Sequence, residues 1–242
     1  MKVLCIGNSF SEDASRYLHQ IARADKENID VANLMIGGCF FYKHFRNFMS
    51  DAKDYTLGFN GKSTGVRVTM TEVLLDNEWD YVSIQQASAF SPDYDTYQPY
   101  ADLLCDHVRE CVPKTKLVVH ETWAYKEDSN KLLSVNGAKY TKRAEMYKDI
   151  RESYQKLYKD TSADLYIESG TLFQKLVENG ISNDDLHRDE FHASFGLGRY
   201  ALGLLWYKRL TGNKVTGNTF RDFDQEIPEE TVLMIQRIVD EM

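Results

Sequence analysis

Ser9 follows the apolar run Val3-Leu4-Cys5-Ile6 through Gly7-Asn8 and precedes a helix-like stretch. A hydroxyl held between a strand end and a helix start has its own backbone N–H aligned with the helix N-terminus. That place suits a nucleophile and the anion it creates. Far along the chain, Asp189 and His192 stand three residues apart. This spacing lets a carboxylate reach one imidazole nitrogen, fix the tautomer and stabilise the imidazolium. Gly38 can bring a backbone N–H close to a ligand, and Gln85 or Gln86 can offer an amide N–H. Together they supply a nucleophile, a base, an orienting acid and three oxyanion donors: Ser9, Gly38 and a glutamine, Gln86 ahead of Gln85.

Each residue also has a plainer role. Serine is a preferred helix cap, a loop histidine can merely neighbour a loop aspartate, and glycines and glutamines end strands. His187 lies close to the Asp189/His192 pair, so a metal-dependent hydrolase built on His187, Asp189 and His192 is a rival by ligand type. Cys5, Cys39, Cys105 and Cys111 form no C-x-x-C pair, which leaves free thiols rather than a zinc or dithiol motif. Gly196-Leu197-Gly198-Arg199-Tyr200-Ala201 matches G-x-G-x-x-A but follows no strand, so it reads as tight helix packing rather than a dinucleotide fingerprint.

The elements that must position these groups alternate. Short apolar runs at Lys2–Ile6, Asp30–Ile36, Tyr81–Gln85, Lys116–His120 and Asp164–Ile167 have the character of strands buried on both faces. Helix-like patterns fall at Glu12–Ala24, Phe40–Met49, Thr69–Asn77, Tyr97–Cys111, Ala138–Lys159, Gly170–Glu178, Ser194–Leu210 and Glu229–Glu241, with Ser11 as the expected first cap. Strand–helix alternation implies an α/β fold with a parallel sheet covered by helices on both faces. Residues 55–68 interrupt it with a small excursion whose Phe59-Asn60-Gly61-Lys62 reads as a hairpin turn. In open α/β sheets ligands bind beyond the carboxyl ends of the strands, where the strand order reverses. Ser9, Gly38 and the two glutamines each follow a strand, and Asp189 and His192 lie in a late loop.

The 242 residues are 43% hydrophobic and 27% charged, an ordinary globular composition that we read as one domain spanning 1–242. With 29 basic and 37 acidic residues the formal net charge is −8, which works against nucleic-acid binding. No apolar stretch approaches the roughly 20 residues of a membrane span. The amino-terminal apolar run is too short for a signal-peptide core, so a cytoplasmic chain is expected.

The chain resembles the SGNH/GDSL hydrolase superfamily. Gly7-Asn8-Ser9 stands where that family has G-D-S, Gly38 where its second block has glycine, and Asp189-Glu190-Phe191-His192 where it ends in D-x-x-H. The third block, normally G-x-N-D, departs: Gln85-Gln86-Ala87-Ser88 carries no asparagine. The Asn8 variant, the double glutamine and the ending resemble a bacterial branch known only as a domain of unknown function. The resemblance implies a three-layer α/β/α sandwich on a five-stranded parallel flavodoxin-like sheet. It also implies a serine esterase that works through Ser9, His192 and Asp189 and an acyl-enzyme, with no metal or organic cofactor. Small acyl, chiefly acetyl, esters on carbohydrates are the expected substrates, with Asn8, Phe40 and Trp123 as candidate contacts. A non-catalytic carbohydrate-binding protein on the same fold is the remaining alternative. Neither a nucleic-acid nor a membrane partner is expected, and oligomeric state is left open.

Overall fold

The computed structural model describes residues 1–135, 137 and 140–242. Its strands are β1 (Lys2–Gly7), β2 (Asp30–Met35), β3 (Tyr55–Phe59), β4 (Lys62–Val68), β5 (Tyr81–Ile84), β6 (Lys116–Glu121) and β7 (Leu165–Glu168). They form one sheet in the order β4-β3-β2-β1-β5-β6-β7. The five apolar runs expected as strands are all present and pair in parallel as β2-β1-β5-β6-β7. The sheet is wider than the expected five strands. The excursion at 55–68 is a hairpin that adds β3 and β4 antiparallel to the outer edge of β2. Its turn is Asn60-Gly61, both at positive φ (48° and 81°), as a two-residue hairpin of matching twist requires.

The helices are α1 (Ser9–Ser15), α2 (Leu18–Ala24), α3 (Phe41–Met49), α4 (Met70–Leu75), α5 (Tyr100–Cys111), α6 (Arg143–Asp160), α7 (Ser169–Glu178), α8 (Asn183–Leu186), α9 (Leu197–Thr211) and α10 (Glu229–Asp240). One group gathers round α9, which touches α1, α2, α7 and α10; another joins α3 to α4 and α5, and α6 lies on β6. Sheet and helices make the expected layered α/β architecture. None of the helices among the described residues is long and apolar enough to cross a membrane.

Several helix expectations change: those from Tyr97 and Ser194 begin at Tyr100 and Leu197, and the short α8 was not expected. The single helix expected at Glu12–Ala24 is two helices, and it starts three residues earlier. Asn8, not Ser11, is the cap: its Oδ1 accepts the Phe10 N–H. The Ser11 hydroxyl instead donates to the Asn8 carbonyl and to Asn33 Oδ1. The helix expected from Ala138 begins at Arg143, while Ala138 and Lys139 lie outside the described residues. The G-x-G-x-x-A segment is packing, as expected. A Cβ on Gly196 would sit 2.3 Å from the Gln225 carbonyl oxygen, and one on Gly198 would sit 2.6 Å from that of Leu186.

One buried acid beneath the sheet's carboxyl edge has a consequence for stability. Glu121 ends β6, and its Oε1 accepts the Thr171 N–H (2.7 Å) and hydroxyl (3.1 Å) near the start of α7. Tyr166 donates to its other oxygen. Burial pushes its carboxyl up to about 7, against these hydrogen bonds. Between its ordinary value and pH 7 the native state therefore holds a proton that the unfolded chain has lost, so stability falls as pH rises through this window. Glu121→Gln removes the ionisation. Its Tm is expected to gain on the wild type progressively from pH 5 to pH 8, by several degrees. A Tm difference independent of pH would refute this assignment.

Candidate active site

Ser9 is the first residue of α1, immediately after the Asn8 cap, so its N–H has no intrahelical acceptor. Its hydroxyl lies 2.9 Å from His192 Nε2. The other ring nitrogen, Nδ1, is 2.7 Å from Asp189 Oδ2. Asp189 Oδ1 accepts two backbone N–H groups, from Phe191 (2.9 Å) and His192 (2.7 Å). Partial burial pushes the Asp189 carboxyl up. The N–H donors and the His192 ring outweigh that push and hold it down at about 2. An ionised Asp189 can only accept, so Nδ1 carries the ring hydrogen and Nε2 presents its lone pair to Ser9. Three residues separated by as many as 183 positions thus form one hydrogen-bonded line.

The loop carrying Asp189 and His192 is pinned to the helix that carries Ser9. His187 and Ala193 bridge its base, and the Arg188 N–H donates to the His192 carbonyl. The Arg188 guanidinium reaches Asp13 Oδ1 and Oδ2 at 2.9 and 2.8 Å and also donates to the Ala193 carbonyl. Asp13 is fully buried on α1, four residues past Ser9, and takes a second guanidinium, Arg199 Nε, at 2.8 Å. These ion pairs were not anticipated from sequence. Asp13 and Arg188 flank the chemical residues, but nothing in their spacing says that they meet. From the other side, Phe10 stacks on Trp123 with centroids 4.2 Å apart, and Phe191 packs on the His192 ring at 4.1 Å.

Gly38 lies in the turn Ile36–Cys39, closed by Cys39 N–H to the Ile36 carbonyl (3.1 Å). Its φ of +62° is costly for any residue with a Cβ. Gly37 and Gly38 are exposed, and the turn is tied to the nucleophile's turn, because Asn8 Nδ2 donates to the Cys39 carbonyl at 2.9 Å.

Four expectations are corrected. Asn8 is buried, and its amide is used on Phe10, Cys39 and Gln85, so it is a brace rather than a substrate contact. Trp123 is fully buried between Phe10 and Phe173, and its Nε1–H donates to the Phe191 carbonyl; it supports the histidine loop and does not face a ligand. Gln86 is fully buried. Its Oε1 accepts the Phe41 and Ala87 N–H groups, while Nε2 donates to the Thr96 carbonyl and hydroxyl. Gln85 is equally buried, between Asn8 and His120. Neither glutamine side chain therefore reaches an open site as an oxyanion donor.

Phe40 is half-buried beside Phe90 (5.1 Å) and Tyr42 (6.2 Å), two residues beyond Gly38. The rival metal centre does not assemble. His187 is buried with Nδ1 on the Asn183 carbonyl and its ring edge-on to Phe173. Asp189 and His192 are already engaged with each other. Among the described residues, no three His, Cys, Asp or Glu side chains are placed to share an ion.

The fold has solved counterparts. A DUF4886 family protein from Bacteroides uniformis is 30% identical, with a TM-score of 0.88 over 100% of this chain and 93% of that one. A putative SGNH hydrolase from Slackia heliotrinireducens is 21% identical (TM-score 0.63; 87% and 98% covered). A carbohydrate esterase of family 3 from Talaromyces cellulolyticus is 11% identical (TM-score 0.57; 88% and 97%). No curated protein matches the chain in sequence. The sequence model described as "Domain of unknown function (DUF4886)" spans residues 2–232. A match over nearly the whole chain, with a close structural counterpart bearing the same family name, shows that the chain belongs to the DUF4886 family, on the fold of the SGNH/GDSL hydrolases.

Proposed function

We propose that the chain is a serine esterase that removes small acyl groups, chiefly acetyl, from carbohydrate esters. The observation that carries this reading is the line Ser9 Oγ–His192 Nε2–His192 Nδ1–Asp189 Oδ2, at 2.9 and 2.7 Å. His192 Nε2 takes the Ser9 proton as Oγ attacks the ester carbonyl. The carbonyl oxygen becomes an oxyanion facing the N–H groups of Ser9 and Gly38. Collapse expels the sugar hydroxyl, which takes the proton from Nε2 and leaves acyl-Ser9. Water, deprotonated by the same nitrogen, then releases the acid. Asp189 stabilises the imidazolium in both halves.

The choice of a sugar leaving group is supported by Phe40. It stands two residues beyond Gly38, half-buried beside Phe90 and Tyr42. Aromatic rings suit the apolar faces of sugars. The carbohydrate esterase among the fold's relatives points the same way.

The test is hydrolysis of p-nitrophenyl acetate and of acetylated xylose by the purified protein, with and without EDTA. Turnover of both, unchanged by EDTA, is expected. Loss of activity to the chelator would sink the serine mechanism. Binding of acetylated sugars without turnover would favour a non-catalytic carbohydrate-binding protein.

A further inference from the structure

A buried chain of hydrogen bonds runs beneath Ser9, and its polarity can be read from end to end. Asn8 Oδ1 must accept, because the Phe10 N–H points at it (2.9 Å). The Gln85 atom 2.9 Å from that oxygen must therefore be the donor, Nε2. Gln85 Oε1 is then an acceptor, and His120 Nδ1 donates to it at 2.8 Å. That leaves His120 Nε2 to accept the Ser169 hydroxyl at 3.0 Å. Burial pushes the His120 pKa down to about 3, which keeps the ring neutral and able to play both parts. At the other end, Asn8 Nδ2 donates to the Cys39 carbonyl. The order is Ser169 to His120 to Gln85 to Asn8 to Cys39, each donating to the next.

We propose that Gln85 is a positioning residue of the oxyanion site: through Asn8 it holds together the two turns whose backbone N–H groups, those of Ser9 and Gly38, face the oxyanion. This rests on the serine-esterase reading above and deepens it. Asn8 caps the helix that begins with Ser9 and grips the Gly38 turn through Cys39. Its amide can do both only in one orientation. The Phe10 N–H and the Cys39 carbonyl select that orientation, and Gln85 reinforces it with an Nε2–H donor opposite Oδ1 and a buried side chain that holds Asn8 in place. Where the resemblance implies a side-chain donor on the oxyanion, this chain has an amide that acts one step removed. Gln85 is 1% exposed, so it has no open cleft into which to donate.

A direct donor and a positioning residue are separated by a double-mutant cycle on kcat for p-nitrophenyl acetate. The cycle comprises wild type, Gln85→Met, Asn8→Ala and the double variant, with Ser9→Ala as the background control. A misplaced N–H is expected to lower kcat for each single variant by on the order of 10²-fold, with KM little changed. The double variant should be no worse than about threefold below the poorer single, because both changes break the same link. Should Gln85→Met fail to fold, Gln85→Ser withdraws the donor from Asn8 without adding a charge; it enters the cycle in the same place. Losses that multiply in the double variant would make Gln85 an independent donor and overturn the proposal. So would Gln85 variants that lower Tm while leaving kcat unchanged. Wild-type turnover that persists in Ser9→Ala would overturn the serine reading itself, and the proposal with it.

Discussion

Ser9→Ala is expected to lower kcat for p-nitrophenyl acetate by about 10⁶-fold, the loss seen when the nucleophile is removed from a serine hydrolase. The protein should fold as before. A serine at a helix start is ordinarily suspected of capping, and its loss would then cost about 1 kcal/mol. Here Asn8 supplies the cap, and Ser9 Oγ bonds toward His192. The two roles that a serine could have had are divided between neighbours, so activity and stability should separate cleanly in this variant. A residual kcat within about tenfold of wild type would remove Ser9 from the chemistry. A large fall in Tm would mean that its hydroxyl holds the helix after all.

How far the site could be read without coordinates depended on the kind of interaction involved. The five parallel strands are apolar runs bounded by breakers, a local signal. The strand order reverses about β1, so the groups that follow β1, β2 and β5 had to converge. Ser9 lies at the crevice there for this reason; Asp189 and His192 follow no strand, and the Arg188–Asp13 ion pair anchors their loop beside it, which their spacing alone could not show. The hairpin turn at Asn60-Gly61 was legible because its backbone demands are specific. Its attachment to β2 was not, since strand neighbours are chosen by tertiary packing.

Amide partners were the least legible. Gln85 and Gln86 offer the same groups on paper, and nothing local says that one bonds Asn8 while the other bonds the first N–H of α3. An aromatic residue after a strand likewise fits a cleft or a core equally well. Trp123 fell in the core because Phe10 and Phe173 enclose it, whereas Phe40 sits at the surface beside an exposed turn. The Asp13–Arg188 ion pair joins positions 175 residues apart. Only the fold brings them together, and it does so where the histidine loop needs an anchor.

The second large effect concerns Asp189, and its sign follows from which oxygen does what. Oδ1 is held by two backbone N–H donors, and Oδ2 alone faces His192 Nδ1. In Asp189→Asn the amide has one acceptor, and the two N–H donors claim it. The NH₂ is therefore left facing His192. Nδ1 must then accept, the ring hydrogen moves to Nε2, and the atom 2.9 Å from Ser9 becomes a donor that cannot take the serine proton. A fall in kcat of about 10⁴-fold is expected, as for the same change in serine triads, with KM little altered because the loop keeps both backbone bonds and Tm lowered only by the loss of the carboxylate's charge. Asp189→Ala supplies the contrast. It loses the orienting charge and the loop's hydrogen bonds but leaves the tautomer free, so its kcat should not fall below that of Asp189→Asn. The wild-type carboxyl is held down at about 2, so protonation of Asp189 itself does not narrow the gap in kcat between the wild type and the Asp189→Asn variant anywhere from about pH 5 to pH 9. An Asp189→Asn enzyme within about tenfold of wild type would mean that something other than Asp189 sets the His192 tautomer, and the hydrogen-bonded line would lose its third member.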